Sequence, residues 1–380
     1  MRKLQESPAF SRRGARKSIC PAAGTLHFRG MNRGILFALG AAVLFGLSTP
    51  LAQRLLGFTN PLLLAGLLYL GSGVGLAALR VAKKLARSAA PPEAPLTRPD
   101  LPWLAGAIFA GGIAAPAFLV FGLLTTAAST ASLLLNLESV ATAVIAWVVF
   151  RENVDRRVGL GFACILAGAI LLTIPAHGGL EVSRGALLVA AACLFWGIDN
   201  NLTRRISGSD PAQIAMWKGL VAGAVNTSLG LALATSHPSV QTIAAIATVG
   251  FFGYGLSLVL FITALRFLGT ARTGAYFSTA PFVGAAVAVA LGQGQITGML
   301  LLSGLLMLAG VWLHLTERHE HPHIHEPTEH EHLHVHDEHH QHEHSPDDPP
   351  GEPHTHPHRH KRLTHTHPHF PDLHHRHGHE

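Results

Sequence analysis

STASLLLNLESVATAVIAWVVF, residues 129–150, is the stretch whose reading decides the fold. Its 22 residues carry one formal charge, Glu138, and they run into Arg151-Glu152. A helix rises about 1.5 Å per residue, so this length covers the roughly 30 Å hydrocarbon core of a bilayer. Nine more stretches of the same kind lie near 34–53, 61–79, 102–123, 158–174, 185–202, 211–234, 243–267, 272–291 and 296–316. Each is mostly Leu, Ala, Gly and Val, the composition of helices packed in lipid. Pro61, Pro102 and Pro211 open three of them, where a missing N–H costs little. The expected fold class is an all-α polytopic membrane protein with ten transmembrane helices, and its first partner is the lipid bilayer.

Composition narrows the function classes. Charged residues make up 13 % of the chain, and many of them fall outside the apolar stretches. The net charge of +6 does not indicate nucleic acid, because the basic residues occupy short inter-helix loops rather than one soluble face. Cys20, Cys164 and Cys193 form no CxxC or paired pattern and are read as small core residues. No phosphate loop and no nucleophile constellation is present, so neither ATP drive nor an enzyme is expected. Residues 1–30 are basic but lack an apolar centre, which a secretory signal requires. They read either as a real extension or as residues upstream of a true start at Met31-Asn32-Arg33-Gly34.

Lys and Arg set the orientation. With the N-terminus inside, the inside segments hold Arg80, Lys83, Lys84, Arg87, Arg98, Arg151, Arg156, Arg157, Arg204, Arg205, Arg266, Arg272 and Arg318, and the outside loops hold only Arg54 and Arg184. The positive-inside rule then puts both termini in the cytoplasm of a cell whose inner membrane carries the protein, expected to be bacterial.

The chain also resembles itself. Arg33-Gly34 matches Arg184-Gly185 at an offset of 151, as do Gly46 with Gly197 and Leu51 with Leu202. Further on the offset is 142: Asn136-Leu137-Glu138-Ser139 meets Ser278-Thr279-Ala280-Pro281, and Ala167-Gly168 meets Ala309-Gly310. Five helices per copy is an odd number, so the second copy enters from the opposite face. The expected organisation is a basic extension over 1–30, five-helix units over 31–175 and 184–316, and a tail over 317–380. Inverted repeats of this kind place a substrate site near mid-membrane and permit alternating access.

Ten helices in two five-helix copies, the run Asn136–Thr142 closed by Arg151-Glu152, and Ala280-Pro281 in the ninth helix resemble the EamA-type members of the drug/metabolite transporter superfamily. The likeness covers about 34–316. It implies a secondary transporter, often an exporter of small organic metabolites. Such members commonly carry a proline after the carboxylate or alanine of the fourth or ninth helix; Ser139 stands there in the first copy and Pro281 in the second.

Polar groups inside spans are the candidate substrate and coupling residues, because a charge at mid-helix costs about 2.5–3.5 kcal/mol on insertion scales and must face protein or water. Glu138 sits mid-way along the fourth stretch, with Asn136 before it and Thr142 one turn on. Such a carboxyl can carry a coupling proton, or Lys218 of the seventh stretch can hold it as an ion pair. Asp199 lies near the cytoplasmic end of the sixth stretch, where a helix-end role competes with a site role. Trp196, Tyr254 and Tyr276 can line an organic pocket or anchor the interface. Gly71-xxx-Gly75 and Gly219-xxx-Gly223 are read as close helix contacts.

Residues 319–380 hold 23 of the 27 histidines. Many alternate: His319, His321, His323 and His325; His330, His332, His334 and His336; His354, His356, His358 and His360; His365, His367 and His369. Neutral imidazoles bind zinc, nickel, cobalt and copper, and residues i and i+2 of an extended chain lie on one side. No cofactor is required by this reading; the metal is a tail ligand. With many prolines and few apolar residues, the metal-free tail is expected to be disordered. Three functions stand at this point: an exporter of small organic metabolites or drugs with a metal-binding tail, a nickel, cobalt or zinc efflux carrier fed by that tail, and a membrane-anchored metal store or sensor that transports nothing.

Overall fold

A computed structural model describes residues 23–86, 93–150, 156–173, 183–234 and 238–316, and four tail segments, 320–325, 329–334, 354–359 and 363–368. Between residues 23 and 316 every regular element among the described residues is helical. The elements are α1 (Ala23–Leu55), α2 (Pro61–Leu85), α3 (Leu101–Ala107), α4 (Ala115–Gly122), α5 (Ala128–Leu134), α6 (Leu137–Phe150), α7 (Arg156–Thr173), α8 (Arg184–Ile206), α9 (Pro211–Ala232), α10 (Val240–Gly250), α11 (Ser257–Phe277), α12 (Ala280–Ala290) and α13 (Gly298–Leu315).

Among the described residues each of the ten apolar stretches is mainly helical. Seven spans among the described residues are long and apolar enough to cross a membrane, and Gly159–Leu172 and Gly298–His314 are shorter apolar helices. Helix α9 is longer but carries Gln213, Lys218 and Asn226. Large apolar side chains face outward along the bundle, among them Leu36, Phe109, Val148, Val149, Leu305 and Trp312. In water such a surface would be a liability; against lipid tails it is the matching solvent.

Local chemistry sets the helix starts. Asn60, Ser183, Asp210, Ser239 and Thr297 each accept a hydrogen bond from a backbone N–H in the first turn of the helix that follows. These side chains satisfy donors that a helix leaves unpaired. Asp210 also pairs with Arg80, joining the end of α2 to the start of α9.

Two features, each found twice, depart from regular helix and matter for the site. Between α3 and α4 the turn is a π-helix, Ile108–Ala114, and between α10 and α11 it is again a π-helix, Phe251–Leu256. The fourth apolar stretch breaks between α5 and α6, at Leu135-Asn136, and the ninth breaks between α11 and α12, at Ser278-Thr279. Both features recur after 143 residues (Ile108 to Phe251, Leu135 to Ser278). The break before Ser139 therefore forms without proline. Ser139 Oγ donates to the Asn136 carbonyl at 2.8 Å, and Asn136 Nδ2 donates to the Leu133 carbonyl at 3.0 Å. The loop expected over 266–272 is instead helical, as part of α11. It contains no proline, and nothing in it interrupts the backbone ladder.

Packing pairs the two parts of the chain. Helix α2 lies on α9, and α7 on α13; α1 lies on α12 as α8 lies on α6, and α1 on α11 as α8 on α4. At the α2–α9 crossing a Cβ on Gly219 would stand 2.4 Å from the Gly73 backbone nitrogen, so the two backbones meet there. The pair Gly71 and Gly75 makes its close contacts with other elements: a Cβ on Gly71 would stand 2.3 Å from the Ala247 carbonyl oxygen of α10, and one on Gly75 2.3 Å from the Phe251 ring. The buried core runs across both parts, through Leu64, Leu68, Leu119, Leu134, Trp196 and Tyr254.

The disorder expected of the metal-free tail bears on residues that mostly lie outside the described ones. Four segments are extended and paired: β1 (Glu320–His325) with β4 (Leu363–Pro368), and β2 (Glu329–His334) with β3 (His354–Arg359), both antiparallel. His319, His336, His360 and His369 lie outside the described residues, as do Arg151, Glu152 and residues 1–22 of the basic extension.

Candidate functional site

The helix break ahead of α6 puts Glu138 in the first turn of that helix, half-buried and facing α8. Asn200 of α8 donates from Nδ2 to Glu138 Oε1 at 2.8 Å and to Thr142 Oγ1 at 3.2 Å. The neighbouring Asn201 donates to the Thr142 carbonyl at 3.0 Å and to the Gly197 carbonyl at 2.8 Å. The close α6–α8 approach depends on Gly197, whose added Cβ would sit 2.8 Å from Ala141 Cβ. Thr142 in turn donates to the Glu138 backbone carbonyl at 2.8 Å.

These residues form one wall of a cavity of about 200 Å³. Its polar lining is Asn136, Glu138, Ser139, Thr142, Asn200, Asn201, Arg204, Ser278 and His314. Its apolar lining includes Phe45, Phe162, Phe261, Phe277 and Pro281. Residues from α1, α6, α7, α8, α11, α12 and α13 all contribute, so the cavity lies between the two parts of the chain. One carboxyl, one guanidinium, one imidazole, three amides and four phenyl rings can together hold a small amphipathic organic molecule by hydrogen bonds, charge and stacking. His314 packs edge-on against Phe162, with centroids 4.9 Å apart.

The other two predicted charges form a separate arrangement. Lys218 Nζ donates to both carboxylate oxygens of Asp199 at 2.6 Å, and Thr203 Oγ1 donates to Asp199 Oδ1 at 2.9 Å. The side chains of the pair are 3 % and 8 % exposed, so the charges have left solvent together. Two sequence readings change here. Lys218 pairs with Asp199 and not with Glu138: the two side chains meet beside the π-turn Ile108–Ala114, which both α8 and α9 contact. Asp199 is buried inside the bundle and is not a helix-end residue; α8 continues beyond it to Ile206, with Arg204 and Arg205 in the last turn.

Beside this pair runs the first π-turn. A Cβ at Gly111 would fall 1.8 Å from Asp199 Oδ2, so glycine alone leaves room for the carboxylate. The π geometry frees backbone carbonyls that α-helical bonding would use. Side chains from three helices occupy them: Tyr69 Oη and Trp196 Nε1 donate to the Gly111 carbonyl, and Asn226 Nδ2 donates to the Gly112 carbonyl.

The aromatic residues singled out by sequence are core groups behind the cavity. Trp196 and Tyr254 both pack against Phe45, with centroids 5.8 and 6.0 Å away, and Tyr254 also packs on Tyr69. Tyr276 packs near Ala38, Ala264 and Leu268. Neither Trp196, Tyr254, Tyr276, Asp199 nor Lys218 is among the lining residues, whereas Glu138, Asn136 and Thr142 are. Sequence reading missed Phe45, Asn200, Asn201, Arg204 and His314. The amides Asn200 and Asn201 carried a usable signal: two consecutive polar residues inside an apolar helix.

Comparison with known proteins agrees with this architecture. An uncharacterized transporter of Methanothermobacter thermautotrophicus is 27 % identical over 309 residues, covering 77 % of this chain and 89 % of that protein. A probable amino-acid metabolite efflux pump of Salmonella typhimurium is 28 % identical over 208 residues, covering 50 % of this chain and 67 % of the pump. A solved crystal structure superposes with a TM-score of 0.57 at 18 % identity, over 74 % of this chain and 94 % of its own, which supports the fold alone. The profile of the EamA-like transporter family matches twice, over residues 32–174 and 183–316. The chain belongs to the EamA-like transporter family, and is a multi-pass membrane transporter.

Proposed function

We propose that this transporter is a gradient-coupled exporter of small amphipathic organic metabolites, working by alternating access around the Glu138 cavity. The cavity between the two parts of the chain carries the reading, since it joins a membrane-embedded carboxyl to amides and phenyl rings. Such a lining suits an organic cargo better than a bare cation. Glu138 exchanges the coupling proton, and Asn200 holds its carboxylate toward α8. The Salmonella relative's designation as an amino-acid metabolite efflux pump points to amino acids and their derivatives as first candidates.

Alternating access needs two units that can rock against each other. Ten crossings in two inverted five-helix units fit the double family match, the π-turns and helix breaks that recur after 143 residues, and the exchange-related pairings α1–α12 and α8–α6. We place the protein in a bacterial inner membrane with both ends cytoplasmic, on the Lys and Arg distribution of the loops. The histidine tail lies outside both family matches and binds divalent transition metal on the cytoplasmic side. It senses or buffers metal rather than feeding the cavity.

Purified protein in proteoliposomes, loaded with labelled amino acids or cationic drugs and given a proton gradient, tests the reading. Flux of at least one such compound above empty liposomes is expected. Flux of zinc, nickel or cobalt, with none of any organic compound, would overturn it in favour of a metal carrier.

A further inference from the structure

Resting on the reading of the Glu138 cavity as the site of an organic cargo, we infer that Arg204 is the carboxylate receptor of that site and that the cargo is a zwitterion, an α-amino acid with an apolar side chain. Arg204 lies in the last turn of α8, half-buried, and lines the cavity. Its neighbour Arg205 is exposed instead, with its guanidinium carbon 5.2 Å from the centre of the Trp103 ring. Consecutive side chains on a helix point about 100° apart, and of these two arginines only Arg204 is in the cavity wall.

Helix α8 sets the spacing between Arg204 and Glu138. Asn200, which donates to Glu138 Oε1 at 2.8 Å, precedes Arg204 by one helical turn, and both line the cavity. Residues four apart share a helix face, and at about 1.5 Å per residue the second stands about 6 Å along the axis. The wall therefore has an acidic end and a basic end one turn apart. An α-amino acid carries its ammonium and carboxylate on one carbon, so it meets both ends at once, ammonium toward Glu138 and carboxylate toward Arg204. A guanidinium presents paired N–H donors that match two carboxylate oxygens. The other acid of α8, Asp199, is held by Lys218 on both oxygens and lies outside the lining.

Charge and size disfavour the competing cargo. With His314 neutral, the lining holds one negative and one positive group, Glu138 and Arg204, which sum to zero as a zwitterion does. A cationic drug would set a second positive charge beside Arg204. The cavity of about 200 Å³ is also smaller than the roughly 300–1,000 Å³ pockets that take drug-sized ligands. The side chain of the cargo meets Phe45, Phe261, Leu265 and Phe277, where an apolar group is at home and a charged one pays desolvation.

Flux assays on the full-length protein in proteoliposomes, corrected for empty liposomes, test the assignment. The probes are labelled leucine, methionine and phenylalanine, each beside its amide, which keeps the ammonium and loses the carboxylate. Wild type is expected to carry at least one acid about 10-fold or more faster than its amide, the scale of a hydrogen bond to a charged group. The ratio should fall to about one in Arg204→Gln and to an intermediate value in Arg204→Lys, since an ammonium cannot pair bidentately. Arg205→Gln should keep the wild-type ratio. Should Arg204→Gln fail to fold, Arg204→Lys carries the test. A wild-type ratio in either folded Arg204 variant overturns the assignment, as does equal loss in Arg205→Gln or a ratio near one in wild type. In each of those cases the organic exporter stands, because organic flux is still present. Flux of cationic drugs with none of any acid overturns the zwitterion alone, and no flux of any organic compound overturns both readings.

Discussion

Asp199 and Asn200 are adjacent in α8, yet they face opposite partners: Asp199 accepts from Lys218 of α9 at 2.6 Å, and Asn200 donates to Glu138 of α6 at 2.8 Å. Two consecutive side chains thus link α8 to two different helices. Any movement that shifts α8 at Asp199 must either carry Lys218 of α9 along or break the buried ion pair. Phe45 extends the connection, since it touches both Phe277 of the cavity wall and Trp196, whose indole N–H binds the Gly111 carbonyl next to Asp199.

Asn200→Ala removes the donor shared by Glu138 and Thr142. A single hydrogen bond to a charged group contributes about 1.5–3 kcal/mol. Transport is expected to fall roughly 10-fold or more on that scale, with the monodisperse peak in detergent unchanged. Asn200→Asp should be worse than Ala, because it sets a second carboxylate against Glu138. Equal transport by wild type and both variants would remove Asn200 from the site.

Lys218→Met strands the Asp199 carboxylate in the bundle. Breaking one partner of a buried pair costs about 3–5 kcal/mol. The melting temperature in detergent should drop by many degrees, and the double variant Asp199→Leu/Lys218→Met should recover much of it. A single variant as stable as wild type would show that the pair is not closed in the resting protein.

Reporter fusions address the orientation. Alkaline phosphatase fused after Thr316 should be inactive and a fluorescent protein fused there bright, as at the N-terminus. Opposite sides for the two ends would exclude ten crossings, and with them two five-helix units of opposite sense.

The fold was legible because lipid imposes one demand on the chain, namely long apolar runs, and these are visible without any tertiary knowledge. Proline and polar caps then set the starts of α2, α9 and α13 close to where they were expected. Local departures were less visible. The π-turn at Ile108–Ala114 has no motif beyond Gly111-Gly112, and its cause lies in Tyr69, Trp196 and Asn226 on three other helices. Glu138 stood out because a charge inside a span is costly. Its partner did not, because the choice between Lys218 and Asn200 depends on which face of α8 meets α6 and which meets the π-turn Ile108–Ala114. Arg204 and His314 lie near span ends, where charge is cheap, so only the cavity singles them out.

Substrate accumulation in everted membrane vesicles under an imposed proton gradient, comparing wild type with Glu138→Gln, tests the central claim most directly. Glutamine keeps an oxygen for Asn200 but cannot exchange a proton. The account predicts gradient-driven accumulation by the wild type and its loss in the variant by about 100-fold, in line with removal of an essential proton-transfer group. Proton-driven accumulation by Glu138→Gln at the wild-type rate would contradict it.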